Sequence, residues 1–140
     1  MIRKFQISDT EPVMKLWLSG NMEAHSFVPE KYWQSHFKEV QEALQQADVW
    51  VYDIDGNVHG FIGLINEYIA GIFVDKNYRS IGIGTQLVNF VKEKYDTLSL
   101  NVYQENPRAV AFYQSEGFSV LSEGIDEDTS KKEYTMFWKK

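Results

Sequence analysis

The chain has 140 residues, carries 14 Lys and Arg against 20 Asp and Glu for a net charge of −6, and contains no cysteine. The charge is the wrong sign for a nucleic-acid partner, which calls for a basic face, and without thiols there is no disulfide framework, no thiolate zinc site and no cysteine nucleophile. Ordinary hydrophobic content (44%) predicts one domain over 1–140 with its own core; with no signal-peptide run at Met1-Ile2-Arg3-Lys4 and no stretch near the roughly 18 apolar residues of a membrane helix, a cytoplasmic protein without a membrane partner is expected.

From the N-terminus, Ile2 to Ile7 predicts a strand. Ser8 and Glu11 have capping-box spacing and Pro12 suits a first helical turn. Val13, Leu16 and Trp17 form one apolar stripe, and Ser19-Gly20-Asn21 predicts the end of that helix. Residues 22–29 are expected to be a loop holding His25, Phe27 and Pro29. A second helix follows, its buried face marked by Trp33, Phe37, Val40, Leu44 and Ala47. Val49 to Ile54 and Val58 to Ile65 predict a hairpin around Asp55-Gly56-Asn57. Gly60 and Gly63 within the second strand point to a bulge or a close approach.

Asn66-Glu67 turns the chain into Ile69-Ala70-Gly71-Ile72-Phe73-Val74, a branched, apolar run that predicts a buried strand. The segment Tyr78-Arg79-Ser80-Ile81-Gly82-Ile83-Gly84 follows, then a helix to about Tyr95 with Leu87, Val88 and Val91 on one face. Thr97 to Tyr103 alternates cleanly, Leu98, Leu100 and Val102 against Ser99, Asn101 and Tyr103. Pro107 opens a short helix that Gly117 closes. Phe118–Leu121 and Tyr134–Trp138 predict a closing strand pair, with the acidic stretch Glu123–Asp128 as a solvated loop between them. The predicted class is α/β, a central mixed twisted sheet with helices on both faces, in the order β-α-α-β-β-β-α-β-α-β-β.

The glycines Gly82 and Gly84 fall where a strand gives way to a helix. A first helical turn has unpaired N–H groups and a partial positive charge, and glycine lets the backbone come close. That makes a cradle for phosphate or diphosphate, with Arg79 as a cation beside it. A tight turn that binds nothing has the same local sequence. A dinucleotide fingerprint would need Gly or Ala where Leu87 stands, and a P-loop would need Gly-Lys-Ser/Thr where Gly84-Thr85-Gln86 stands.

The pattern Arg-x-x-Gly-x-Gly over Arg79–Gly84, with Asn106-Pro107-Arg108-Ala109-Val110-Ala111-Phe112-Tyr113 and then Glu116-Gly117-Phe118, resembles the GNAT superfamily of acyl-CoA-dependent N-acyltransferases. The two segments stand in that family's order and spacing, and the similarity is to its small one-domain bacterial members. The resemblance implies the acyl-CoA N-acyltransferase fold and an enzyme that moves an acetyl group from acetyl-CoA, without a metal, to an amine. The acceptor would be a protein lysine or a small molecule, and the protein a monomer or homodimer. It implies that Arg79, Ser80, Ile81, Gly82, Ile83, Gly84 and Thr85 grip the coenzyme diphosphate. The backbone of Ile72, Phe73 and Val74 would pair with the pantetheine arm, and Asn106, Ala109 and Phe112 would complete the cofactor site. Asn106 is equally a helix N-cap ahead of Pro107.

Three chemical tasks follow: holding the cofactor, deprotonating the amine, and protonating the leaving thiolate. Tyr113 is the candidate acid, because a tyrosine near pKa 10 keeps its proton where a thiol near 8.5 is losing its own. A lysine amine is almost wholly protonated at neutral pH, so a base or a water relay is required. Glu67, at the head of the central strand, and His25, in the loop bordering the acceptor site, are the candidates, with a water chain as the third account. Tyr68 is expected to line the acceptor pocket. A non-catalytic acyl-CoA sensor would keep the glycine loop without needing Tyr113.

Overall fold

The computed structural model describes every residue from Met1 to Lys140. Its elements are β1 (Ile2–Lys4), α1 (Thr10–Ala24), α2 (Glu30–Ala43), β2 (Asp48–Ile54), β3 (Asn57–Ile65), β4 (Tyr68–Val74), α3 (Ile83–Lys92), β5 (Thr97–Tyr103), α4 (Pro107–Ser115), β6 (Ser119–Asp126) and β7 (Lys131–Lys139). Short 3₁₀ turns precede α1 and follow β4. The seven strands form one sheet in the order β1-β2-β3-β4-β5-β7-β6. Only β4 and β5 run parallel; every other pair is antiparallel. The element order is the one the sequence predicts.

Alternation along the strands splits the apolar residues between two cores. On one face Val13, Met14, Leu44, Val49, Val51 and Phe61 pack beneath α1 and α2. On the other, Ile62, Leu64, Ile69, Leu98, Leu100 and Met136 meet Ile83, Leu87, Val88 and Val91 of α3 and Tyr113 of α4. Phe61 and Ile62 are successive residues on opposite faces, the period-2 rule of a strand buried on both sides. No helix is long and apolar enough to cross a membrane.

Several boundaries differ from expectation, each for a visible reason. β1 stops at Lys4 because Gln6 and Asp9 form the capping box instead of Ser8 and Glu11. Asp9, only 5% exposed, accepts from Arg3 Nη1 and Nη2 at 2.8 and 2.9 Å and from the Gln6 N–H at 2.8 Å. α1 runs through Ser19-Gly20-Asn21 to Ala24. A Cβ on Gly20 would lie 2.6 Å from Phe73 Cδ1, so this glycine lets the helix press on β4 rather than ending it. The acidic stretch is not a loop up to Asp126: β6 carries it, paired against Lys131–Phe137 of β7. α3 begins at Ile83, two residues inside the segment expected to be loop, and ends at Lys92, short of Tyr95.

The Asp55-Gly56 turn has φ of 52° and 88°, the left-handed pair of a two-residue type I′ hairpin. Register shifts fall beside both strand glycines, between Tyr52 and Asp53 opposite Gly60, and at Gly63/Leu64. Gly60 also allows close approach, since a Cβ there would meet Ile83 Cγ2 at 3.1 Å. At the second shift Leu64 pairs with Ile69 and Gly63 with Gly71, which leaves Ala70 unpaired as a bulge in β4. A bulge bends its strand and sharpens its twist. Beyond it β4 leaves β5: the two strands share one register pair, Tyr68 with Ser99, together with the Ser99 N–H to Glu67 C=O bond of 3.0 Å.

Candidate active site

The separation of β4 from β5 opens a cleft of about 1040 Å³. One wall is Tyr68, Ala70, Gly71, Ile72, Phe73 and Val74 of β4, and the other includes Asn101, Val102 and Tyr103 of β5. Backbone groups of Ile72–Val74 on the cleft side have no β5 partner to occupy them.

At one end of the cleft lie Arg79, Ser80, Gly82, Ile83, Gly84 and Thr85. Ser80 has φ 72° and Gly82, the N-cap of α3, has φ 87°. A non-glycine residue held left-handed costs on the order of 1–2 kcal/mol, so the loop geometry is imposed by its surroundings. The first intrahelical bond runs from Gln86 N–H to Gly82 C=O at 3.0 Å; the N–H groups of Ile83, Gly84 and Thr85 therefore have no helical acceptor and carry the positive end of the dipole. Gly84 has a second function, for a Cβ there would stand 3.2 Å from Phe112 Cζ of α4. Ile81 points away and is 61% exposed. The Thr85 hydroxyl donates to Glu116 Oε2 at 2.8 Å. Arg79 Nη1 bonds Glu23 Oε1 of α1 at 2.7 Å, and its Nε reaches the Val74 carbonyl at 3.4 Å.

Tyr113, Ala109, Phe112 and Asn106 reach the cleft from α4. Tyr113 is 8% exposed, and its hydroxyl is pushed well above the ordinary tyrosine value by burial, then by Tyr68 close by. It holds its proton across the whole neutral range. Asn106 is the N-cap of α4: its Oδ1 accepts the Ala109 N–H at 3.2 Å. That fixes its amide nitrogen toward His25, with Nδ2 3.0 Å from His25 Nε2. His25 Nε2 is then the acceptor, and Nδ1–H donates to Asn21 Oδ1 at 3.0 Å. Asn21 Nδ2 in turn donates to the Trp17 carbonyl at 2.9 Å. Burial holds the imidazole down at about 4, so it is neutral near pH 7. Both ring nitrogens are occupied.

The far end of the cleft is aromatic and acidic. His25 packs on Phe27, Trp33 and Tyr103 with ring centroids 5.0–5.6 Å apart. The Trp33 indole N–H is buried with no acceptor. The carboxylates lining the cleft are Glu23, Glu105, Asp126 and Glu133. Asp126 accepts the Tyr103 hydroxyl at 2.6 Å and the Asp128 N–H at 3.0 Å. Burial raises the Glu133 carboxyl, and Asp126 beside it raises it further. Tyr68 is raised by burial and next by Glu133, against an opposing hydrogen bond from the Asn101 backbone.

The structure thus brings most of the sequence-predicted residues into one cleft, but not Glu67. Its carboxylate accepts the Thr97 hydroxyl at 2.6 Å, at the end where β4 and β5 are still joined, and it does not line the cleft. Two further cleft residues were not predicted: Asp126 falls in the acidic stretch expected to be loop, and Glu133 lies one residue ahead of the strand expected from Tyr134. The alternation Tyr134, Met136, Trp138 was the available signal: it sets Glu133 on the same face as its register partner Tyr103.

The family described as "Acetyltransferase (GNAT) domain" matches residues 19–131. Peptidyl-lysine N-acetyltransferase YiaC of Escherichia coli (strain K12) is 32% identical over 140 residues, covering 99% of this chain and 96% of the relative. The solution structure of apo-form YjaB from Escherichia coli superposes with a TM-score of 0.87 at 24% identity, covering 99% of this chain and 96% of that one. The PaiA N-acetyltransferase from Thermoplasma acidophilum, solved in complex with coenzyme A, gives 0.80 at 21% identity, covering 100% and 98%.

Proposed function

This chain belongs to the GNAT acetyltransferase family, and from that premise we propose that it moves the acetyl group of acetyl-CoA onto a primary amine by direct attack within a ternary complex. The observation that carries the reading is the single cleft that joins an anion cradle, a strand with free backbone groups and the buried, protonated Tyr113.

In this reading the diphosphate sits on the N–H groups of Ile83, Gly84 and Thr85, with Arg79 supplying charge. The pantetheine arm adds to β4 along Ile72–Val74, as an extended ligand adds to an unpaired strand edge. An N–H of that strand polarises the thioester carbonyl, a donor preorganised for the oxyanion. The amine nitrogen attacks the carbonyl carbon, the C–S bond breaks, and Tyr113 gives its proton to the sulfur. The acidic, aromatic end receives the amine, and a protein lysine is the acceptor we favour, by likeness to a relative that bears that activity in its name. Fold alone does not choose the acceptor.

The test is acetyl-CoA consumption against a panel of lysine peptides and small amines, with calorimetry of coenzyme A. Tyr113→Phe keeps the ring and removes the proton; it should bind coenzyme A as the wild type does and turn over about 10²-fold or more slower. Unchanged turnover removes Tyr113 from the mechanism, and an absence of coenzyme A binding removes the donor substrate.

A further inference from the structure

We propose that Glu133 is the group that takes the proton from the incoming ammonium, with Asp126 beside it holding the charge of that ammonium as it arrives. The inference rests on the acetyl-transfer reading and adds to it the base, which neither Glu67 nor His25 can supply from where they stand.

Elimination among the cleft carboxylates leads to Glu133. Glu23 is bound to Arg79 at 2.7 Å. Glu105 faces Lys131 Nζ at 3.9 Å. Asp126 has both oxygens occupied, one by the Tyr103 hydroxyl and one by the Asp128 N–H. Glu133 alone has a carboxylate that accepts no hydrogen bond and faces no cation of the protein. It is half-buried on β7, opposite Tyr103 of β5, and lies on the Tyr68 side of the cleft. Tyr68 in turn neighbours Tyr113. Tyr113, Tyr68 and Glu133 thus line one cleft, so acid and free carboxylate open onto the same space.

Two adjacent carboxylates in unlike settings divide their roles. Asp126 has both oxygens engaged, by the Tyr103 hydroxyl and the Asp128 N–H, and in this proposal it holds the arriving ammonium. Glu133, without donors and next to that negative charge, has its carboxyl raised by burial and by Asp126, which makes it the better proton acceptor. The other titratable groups facing it are Tyr68 from β4 and Tyr103 from β5, with Tyr32 of α2 and Asp128 beyond Asp126.

The proton balance closes. The ammonium gives one proton to the Glu133 carboxylate, which releases it to solvent through the cleft mouth. The neutral nitrogen forms the N–C bond, and the C–S pair returns to sulfur with the Tyr113 proton. The second proton leaves the acylated nitrogen and restores Tyr113. The products are the amide, the free thiol and one proton in solution.

The experiment compares wild type with Glu133→Gln in acetyl transfer to a lysine peptide and to an alkoxyamine, which is already neutral at pH 7. With the lysine peptide the variant should lose about 10²-fold or more in kcat/KM at pH 7, and its rate should climb with pH as the substrate deprotonates itself. With the alkoxyamine it should stay within a few-fold of wild type, and its Kd for coenzyme A should be unchanged. Equal losses on both acceptors make Glu133 structural and overturn the proposal, as does a variant that matches wild type on the lysine peptide. A wild type that acetylates no amine overturns the parent reading and Glu133 with it; a working wild type with an equally good variant overturns Glu133 alone.

Discussion

His25 and Asn106, 81 positions apart, are joined by a 3.0 Å hydrogen bond that ties the end of α1 to the start of α4. The bond has a defined direction. Asn106 must present oxygen to the Ala109 N–H to cap α4, so it can only present its N–H to the imidazole. The His25 end of the cleft is thereby registered against the helix that carries Tyr113.

Replacing Asn106 by Asp keeps the cap and turns the donor facing His25 into an acceptor. The imidazole then gains by taking a proton, and its value should rise from about 4 to at least the ordinary 6.5. NMR titration of His25 reads this directly. In the wild type the same spectra should show Nδ1 protonated throughout the neutral range. Asn106→Ala should cost about 1 kcal/mol of stability through the lost cap.

His25 and Asp9 each make a pH-dependent contribution to stability. His25 is lowered in the folded state by burial, so the unfolded chain binds its proton first. Its contribution is complete above pH 6.5 and is lost as pH falls toward about 4. Asp9 is also lowered, chiefly by its hydrogen bonds from Arg3; its contribution is present above the model-peptide value of 3.8 and is lost on further acidification. Thermal unfolding from pH 7 to about 2 should show both phases. His25→Gln should flatten the upper one, and Arg3→Gln the lower one.

Arg79 is held by Glu23 at 2.7 Å, and both side chains are partly exposed. A diphosphate at the α3 N-terminus competes with Glu23 for this guanidinium. Glu23→Gln should tighten coenzyme A binding by about two- to fivefold, the scale of a partly exposed ion pair. Arg79→Gln should weaken it by about tenfold or more, the scale of a hydrogen bond to a charged group. Calorimetry at two salt concentrations measures both, and the salt dependence should fall in Arg79→Gln.

Gly20→Ala sets two effects against each other. Alanine favours the helix by about 1 kcal/mol, but its methyl would press on the Phe73 ring from 2.6 Å, and overpacking costs about 1–3 kcal/mol. Net destabilisation of up to about 2 kcal/mol is expected, with weaker coenzyme A binding as Phe73 shifts within β4. Adding Phe73→Leu should recover the stability. Urea unfolding of the single and double variants gives the comparison.

The sequence revealed the glycine-loop end of the cleft more fully than the acidic, aromatic end, for a physical reason. Gly82, Gly84 and Asn106 act through backbone geometry that their own residue types require, so a local reading finds them. Glu133 and Asp126 are brought to the cleft by strand pairing between residues far from the glycine loop, and neither belongs to a local pattern. The Arg79–Glu23 bridge spans 56 positions and is equally invisible to local reading. Gly20 misled because a helix stop and a helix contact use the same amino acid for different reasons, and only Phe73 on the neighbouring strand separates the two.

Ala70 is the residue with no partner across β3. Omit it, and Ile69 and Gly71 fall opposite Leu64 and Gly63 in unbroken succession, every side chain keeping its present face. A chain of 139 residues made in this way, one fewer than the 140 here, should keep both hydrophobic layers while β4 zips onto β5 along its length. It should be the sturdier protein, with the space between those two strands closed.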